Sequence, residues 1–178
     1  MLNWNDKAVE LRMRKGWRGG LSEGTPCGSG SARKKTRAVR ERIPALLREL
    51  SIRTVCEAGA GDLYWSGTAF SGVDYRPFDL VPRQDTVGKL DITKDRLPAC
   101  DLIVCRQVLI HLDPPRIRQA LELFRQAGAW LLASQYDNAA GFDPGKDFNP
   151  TDLRGLLGEP IERIPDADCS LALWMLAC

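Results

Sequence analysis

The chain has 178 residues, of which 44% are hydrophobic and 27% charged, as is ordinary for a soluble domain with a sizeable core. No run approaches the roughly eighteen apolar residues of a transmembrane helix. The polar N-terminus lacks the apolar stretch of a signal peptide, so we predict a cytoplasmic protein without a membrane partner. The six cysteines include no C-x-x-C pair and there is one histidine, so we predict free thiols and no metal site.

The net charge of +2 hides an asymmetry along the chain. Residues 1–50 carry 12 Lys/Arg against 5 Asp/Glu, giving +7, whereas residues 51–178 carry 13 against 18, giving −5. Seven of the basic residues lie between Arg33 and Arg48. Such a segment can attract a phosphate-bearing partner, including nucleic acid, or can form a solvated face beside the acidic remainder.

Residues 1–50 are predicted to form an N-terminal helical arm or lid of the same domain. Apolar and aromatic residues within residues 1–20 favour a short helix, and the glycine- and serine-rich stretch Gly19–Ser31 favours a loop or an anion-binding lid. A second helix follows, and the hydroxyl of Ser31 can cap its first turn. Pro44 interrupts its apolar spacing and is expected to kink or restart it.

Residues 51–178 form the larger part of the domain, in which predicted strands and helices alternate. The predicted strands are Arg53–Glu57, Phe70–Asp74, Val87–Leu90, Asp101–Cys105, Trp130–Ser134, Pro160–Ile164 and Leu171–Leu176. The predicted helices follow Asp62 and cover Pro77–Pro82, Pro114–Gln126 and Thr151–Leu157, the last capped by Thr151 or Asn149. This alternation predicts an α/β fold with a mostly parallel sheet and helices on both faces.

The first strand ends in an acid, Glu57, and two glycines follow at alternate positions, Gly59 and Gly61. Glycine lets the backbone turn sharply and lets a ligand approach the main chain closely. A dinucleotide site usually has a third glycine three residues later, where this chain has Tyr64. The turn therefore favours a nucleotide-like ligand that has an amino acid moiety and no pyrophosphate. Glu57 can accept a hydrogen bond from the ammonium group of that moiety, directly or through water.

Candidate ligand-binding residues also follow the second, third and fourth predicted strands, at the carboxyl edge of the sheet. Asp74, at the end of the predicted second strand, can take both hydroxyls of a ribose or can form a turn. Asp91, after the third strand, can accept from an adenine amine or can cap a loop. Cys105 and Arg106 come where the fourth strand ends, and open α/β sheets place their ligands there.

Together these groups resemble the class I S-adenosylmethionine-dependent methyltransferases over about residues 52–178. The resemblance implies a Rossmann-like, seven-stranded sheet with an antiparallel last strand, and S-adenosylmethionine as the cofactor, which becomes S-adenosylhomocysteine. The cofactor-binding residues that it implies are Glu57, Gly59, Gly61, Asp74, Asp91, Cys105 and Arg106.

A narrower resemblance is to a small bacterial and phage group with an S-G-x-G-S loop, a C-G-D-F turn and a C-R-D-x-L-x-H-L segment. This chain has Cys27 for the first serine, Ala60 for the cysteine of the turn and Gln107 for the aspartate. Gln107 can form hydrogen bonds but cannot take a proton, so a carboxylate base is in doubt. The expected substrate-side residues are Gln107, Tyr136, Ser29 and Ser31.

His111 and Asp137 are the candidate catalytic residues. Either can line the acceptor pocket as a general base, although His111 can instead pack at the start of the helix after it. The acceptor can be a small molecule, a nucleotide or a nucleic acid, but no N/D-P-P-Y/F motif of an amino-methylating DNA enzyme is present. The alternatives are a non-catalytic protein that binds S-adenosylmethionine or S-adenosylhomocysteine and, disfavoured by Tyr64, an NAD-dependent oxidoreductase.

Overall fold

The computed structural model describes residues 27–146 and 148–176, and the helix predicted within residues 1–20 lies outside them. The strands are β1 (Thr54–Ala58), β2 (Asp74–Asp79), β3 (Gly88–Lys89), β4 (Cys100–Cys105), β5 (Gly128–Gln135), β6 (Glu162–Asp166) and β7 (Cys169–Met175). The helices are α1 (Arg37–Glu49), α2 (Pro114–Arg125) and α3 (Arg154–Leu157), and single 3-10 turns cover Ser29–Ser31 and Leu109–His111.

The seven strands form one sheet in the order β3-β2-β1-β4-β5-β7-β6. Strands β1 to β5 run parallel to one another, whereas β7 is antiparallel to both β5 and β6. The expected α/β fold, with its antiparallel last strand, is confirmed. The chain order reverses between β1 and β4, and open α/β sheets bind ligands at the carboxyl ends of the strands at such a point.

The core lies on both faces of the sheet because neighbouring residues of a strand point to opposite sides. On β4, Leu102 packs in the same apolar cluster as Ile43 of α1. Ile103 packs in the other cluster, with Leu121 and Phe124 of α2. Helices therefore cover both faces, and α1, which belongs to the predicted arm, packs on the sheet.

Helix α1 differs from its prediction at its start, and Pro44 does not restart it. It begins at Arg37, and Ser31 lies in the preceding 3-10 turn, so Ser31 does not cap it. Pro44 lies inside a helix that continues to Glu49. Helix α2 starts as expected, with the Asp113 carboxylate accepting from the Arg116 amide at 2.9 Å.

Helix α3 is shorter than its prediction and has no side-chain cap, so neither Thr151 nor Asn149 caps it. Within the ranges that the structure describes, no helix is long and apolar enough to cross a membrane.

The second strand is the main error in the predicted elements, because β2 begins at Asp74 rather than ending there. The predicted helix Pro77–Pro82 is wrong for the same reason, since Pro77 lies inside β2. The Phe78 carbonyl accepts a hydrogen bond from the Gly59 amide at 2.8 Å, so the backbone polar groups of Phe78 point toward the β1 side. The backbone polar groups of Pro77 and Asp79, on either side of it, therefore point toward the other neighbouring strand, β3. Strand β3 pairs only with Phe78 and Asp79, so the missing N–H of Pro77 leaves no ladder bond unmade.

Candidate functional site

A cleft opens at the carboxyl ends of β1, β2 and β4, with its far wall formed by the residues after β3 and its cover by the chain before α1. The cleft encloses about 1010 Å³ together with its open mouth.

The glycine turn after β1 forms the floor of the cleft, and both of its glycines are required by shape. Gly59 has φ +93° and Gly61 φ +60°, which are left-handed conformations that side chains disfavour. A Cβ at Gly59 would lie 2.1 Å from Cγ2 of Val108, and one at Gly61 would lie 2.7 Å from Sγ of Cys27. The turn therefore presents bare main chain to the cleft.

Asp79, and not Asp74, is the acid that the second strand brings to the cleft. Asp79 is 4% exposed, and its two carboxylate oxygens accept from the amides of Gly61 at 2.8 Å and Val81 at 2.9 Å. Burial raises its pKa, and these hydrogen bonds oppose that rise. Asp74 lies at the opposite end of β2, where its half-exposed carboxylate pairs with Arg76. The prediction that Asp74 faces a ligand is therefore wrong.

Asp91 lines the cleft as predicted and also caps its own loop. Its Oδ1 accepts from the amide of Thr93 at 2.9 Å and from the Thr93 hydroxyl at 2.7 Å. Partial burial raises the pKa of Asp91, but the hydrogen bonds from Thr93 and Lys94 bring it below its usual value. Ile92, beside it, adds an apolar surface to the same wall.

Glu57 is fully buried beneath the glycine turn and does not line the cleft. It accepts a hydrogen bond from the Tyr75 hydroxyl, which also lies 3.2 Å from the hydroxyl of Ser66. Burial raises the pKa of Glu57 to about 7. Glu57 points into the interior, where it ties β1 to β2, so it makes no direct contact with the cleft. A contact with an ammonium through water stays a prediction.

Arg106, directly after β4, joins the cleft to the chain that covers it. Its Nε and Nη2 donate to the two oxygens of Asp166 at 2.9 and 2.8 Å, and both side chains are almost fully buried. Nη2 also donates to the Gly30 carbonyl at 2.7 Å, and the guanidinium lies 5.2 Å from the ring centre of Trp65. Arg106 lines the cleft, whereas its neighbour Cys105 is buried away from it.

Gln107 lines the cleft next to Arg106 and has three polar contacts outside the cleft. Its backbone amide donates to the Ser134 hydroxyl at 2.9 Å. Its side-chain Oε1 accepts from the Tyr136 hydroxyl at 2.9 Å, and its Nε2 lies 3.3 Å from Sγ of Cys169. Its backbone has φ +58°, an unusual conformation for a residue other than glycine. Tyr136 does not line the cleft and reaches the site through its hydrogen bond to Gln107. Burial raises the pKa of Tyr136.

The two candidate catalytic residues lie in different places. His111 lines the cleft from the 3-10 turn after β4. Asp137 lies on the surface with its carboxylate 2.6 Å from Arg163, which lowers its pKa, and it does not line the cleft. The prediction for Asp137 is therefore wrong. Of the two serines, Ser31 lines the cleft and Ser29 does not.

Twelve of the residues that line the cleft are not in the predicted site, among them Cys27, Trp65, Asp79 and Arg83. Asp79 follows an apolar strand residue and is detectable in the sequence once β2 is placed correctly. Cys27 belongs to the loop of the narrower resemblance but was not predicted as a site residue. Trp65 and Arg83 lie on irregular segments, and no local pattern marks them.

Solved structures of methyltransferases share this fold. Magnesium protoporphyrin IX methyltransferase (ChlM) from Synechocystis PCC 6803, with bound SAM, has a TM-score of 0.59 at 14% identity, over 98% of this chain and 97% of that one. The N-terminal domain of EvdMO1, with SAH bound, has a TM-score of 0.54 at 14% identity, over 97% and 98%. The pyocyanin biosynthetic protein PhzM has a TM-score of 0.62 at 13% identity, and 56% of its chain is covered.

The present chain thus spans nearly all of ChlM and of the N-terminal domain of EvdMO1, and about half of PhzM. At such identities the likeness is one of fold. No protein-family model and no curated protein matches the sequence.

Proposed function

We propose, from the class I S-adenosylmethionine-dependent methyltransferase fold that this chain has, that it binds S-adenosylmethionine in the cleft and transfers the methyl group to an acceptor. The observation that carries the proposal is Asp79. Its buried carboxylate is fixed by two backbone amides at the carboxyl end of β2, beside the glycine turn. Each oxygen keeps acceptor capacity for one hydroxyl of a ribose.

The other walls of the cleft fit the remaining parts of the donor. Asp91 and Ile92 offer an acceptor and an apolar surface to an adenine ring. The bare main chain at Gly59 admits the amino acid part, and the Arg106 guanidinium, which lines the cleft while paired with Asp166, can donate a hydrogen bond to its carboxylate.

The structure disfavours a dinucleotide. The residues from Asp62 to Ser71 form turns rather than an α-helix, so no helix N-terminus lies behind the glycine turn to hold a pyrophosphate. Tyr64 also occupies the position of the third glycine. An NAD-dependent oxidoreductase is therefore the weaker candidate.

The donor supplies a methyl group on a sulfonium, which is already activated. In the transfer, a lone pair of the acceptor forms a bond to the methyl carbon, the C–S bond breaks with its electrons to sulfur, and a nitrogen or oxygen acceptor loses a proton. The protein must mainly align the acceptor with the C–S bond. His111 is the cleft residue that can take the proton near neutral pH, whereas Gln107 can only orient the acceptor.

A protein that binds the donor without transfer is the second candidate, and Gln107 is the observation that favours it. The aspartate of the narrower group is replaced by an amide whose oxygen is already engaged by Tyr136. Incubation with methyl-labelled S-adenosylmethionine and an extract of acceptors separates the candidates, because only a transferase moves label into another molecule.

Donor binding is tested by thermal unfolding with S-adenosylhomocysteine or NAD, since a ligand that binds the folded state raises its stability. We expect S-adenosylhomocysteine to raise the Tm and NAD to leave it unchanged. Asp79→Asn should abolish the rise, whereas the matched variant Asp74→Asn should keep it. A rise with NAD alone, or an equal loss in both variants, contradicts the proposed site.

A further inference from the structure

A strip of basic side chains follows the segment that covers the cleft. It consists of Arg33, Lys34, Lys35, Arg37 and Arg40, and we call it the cationic strip. The first four are exposed and Arg40 is half-buried. No Asp or Glu occurs between Cys27 and Arg40, so the strip carries a concentrated positive charge.

The strip begins at the mouth of the cleft. Ser31 lines the cleft, and the carbonyl of Gly30 is fixed by Arg106 at 2.7 Å. Two residues after Ser31, the guanidinium of Arg33 lies 5.4 Å from the ring centre of Tyr64. Arg40 donates to the Arg33 carbonyl at 2.9 Å, which holds the start of the strip against α1. The first charge of the strip therefore lies two residues along the chain from the wall of the cleft.

Most of this charge has no acidic partner within residues 27–146 and 148–176. In the part of the chain that the structure describes, no ion pair involves Lys34, Lys35 or Arg37. Arg42, five residues after Arg37 on α1, does form ion pairs, with Glu49 and Glu162. Unneutralised cations side by side repel one another, and an anionic partner removes that repulsion.

We propose that the methyl acceptor carries phosphate and that the cationic strip binds this phosphate outside the cleft. The inference rests on the proposed methyl transfer and adds the class of the acceptor. Single-stranded nucleic acid fits better than one phosphate group, because Lys34, Lys35 and Arg37 are exposed cations that no ion pair of the described residues engages. A single strand is bound by cations that follow its backbone.

The test uses the full chain saturated with S-adenosylhomocysteine and a fluorescent 12-nucleotide single-stranded RNA of mixed sequence, followed by anisotropy. We expect the binding constant to fall with salt, with a log–log slope of about −1.4 to −2.8 for two to four phosphate contacts at about 0.7 each. The double variant Lys34→Glu/Lys35→Glu should weaken binding at least tenfold.

The matched control is Arg48→Glu/Arg53→Glu, which makes the same change in net charge at the opposite end of the sheet, before β1. We expect it to change RNA affinity less than threefold. If the wild-type chain binds the RNA and both double variants lose affinity equally, or neither does, the strip is not the binding surface and the inference is wrong.

Ribose 5-phosphate separates the two sources of phosphate. If it binds through Lys34 and Lys35 while the RNA does not, the phosphate chemistry holds and the acceptor is a small molecule. If neither probe prefers the wild-type chain to Lys34→Glu/Lys35→Glu, the proposal is overturned. Thermal shifts with S-adenosylhomocysteine in the same proteins report separately on the donor site, so failure of the proposed function is seen independently.

Discussion

Removing the Asp166 carboxylate should destabilise the protein more than removing any surface ion pair. The Arg106 and Asp166 side chains are 2% and 0% exposed and are joined by two hydrogen bonds of 2.9 and 2.8 Å. Asp166→Ala leaves the guanidinium buried without its partner, and breaking a buried pair in this way costs about 3–5 kcal/mol. At roughly 2–4 °C per kcal/mol for a chain of this size, the Tm should fall by about 6–20 °C.

A matched control lies on the same strand. Glu162 pairs with Arg42 at 2.6 Å, but both side chains are more than a quarter exposed. Glu162→Ala should therefore cost only about 0–1 kcal/mol. Urea unfolding monitored by tryptophan fluorescence gives both values, provided that the slope of the transition is unchanged.

Two results would refute this reasoning. The first is a free energy of unfolding that falls by the same amount in both single variants. The second concerns Arg106→Met/Asp166→Leu, in which no charge is left buried and the loss should be smaller than for Asp166→Ala. A larger loss in the double variant would mean that the pair itself, rather than an uncompensated charge, supplies the stability.

The site also predicts how two further changes affect stability. Gly59→Ala should lower the free energy of unfolding by about 2–5 kcal/mol, because of left-handed backbone strain and the 2.1 Å contact between the new Cβ and Val108. Gly72→Ala is the control: Gly72 has φ +89°, but a Cβ added there has no atom within 4 Å, so it should cost only the strain of about 1–2 kcal/mol. Equal losses of the two variants in urea unfolding would refute the contact. The pKa of Glu57 is about 7 in the folded protein and near 4.5 in the unfolded chain. Between pH 4.5 and 7 the folded state therefore binds a proton at Glu57 that the unfolded state has lost. Stability should therefore fall by up to about 3 kcal/mol as pH rises from 4.5 to 7. Glu57→Gln should flatten that slope, and an unchanged slope would contradict the assignment.

Sequence reasoning located the elements whose pattern is unambiguous. The apolar run of β4, the apolar face of α2 and the glycine turn at Gly59 each lie within a residue or two of their predicted places. Local pattern was enough because a buried parallel strand and a capped amphipathic helix each leave a distinctive trace.

The errors share a physical cause, which is that local sequence does not show what lies beside it in space. Pro77 indicated a helix because the sequence does not reveal that β3 is too short to pair with an N–H at that position. This one error placed the end of the second strand at Asp74 instead of Asp79, so the wrong acid was predicted to bind the ribose. The pairing of Arg106 with Asp166 joins residues sixty positions apart, and no motif marks it. Likewise, nothing local shows that Glu57 points inward to Tyr75 rather than toward the cleft.

A crystal structure of the protein grown with saturating S-adenosylhomocysteine shows directly which acid holds the ribose. Both ribose hydroxyls should lie within hydrogen-bonding distance of the Asp79 carboxylate, with the adenine ring beside Asp91 and the thioether sulfur facing Gln107. A complex with the ribose at Asp74, with the ligand outside this cleft, or with no ligand bound would contradict the proposed donor site.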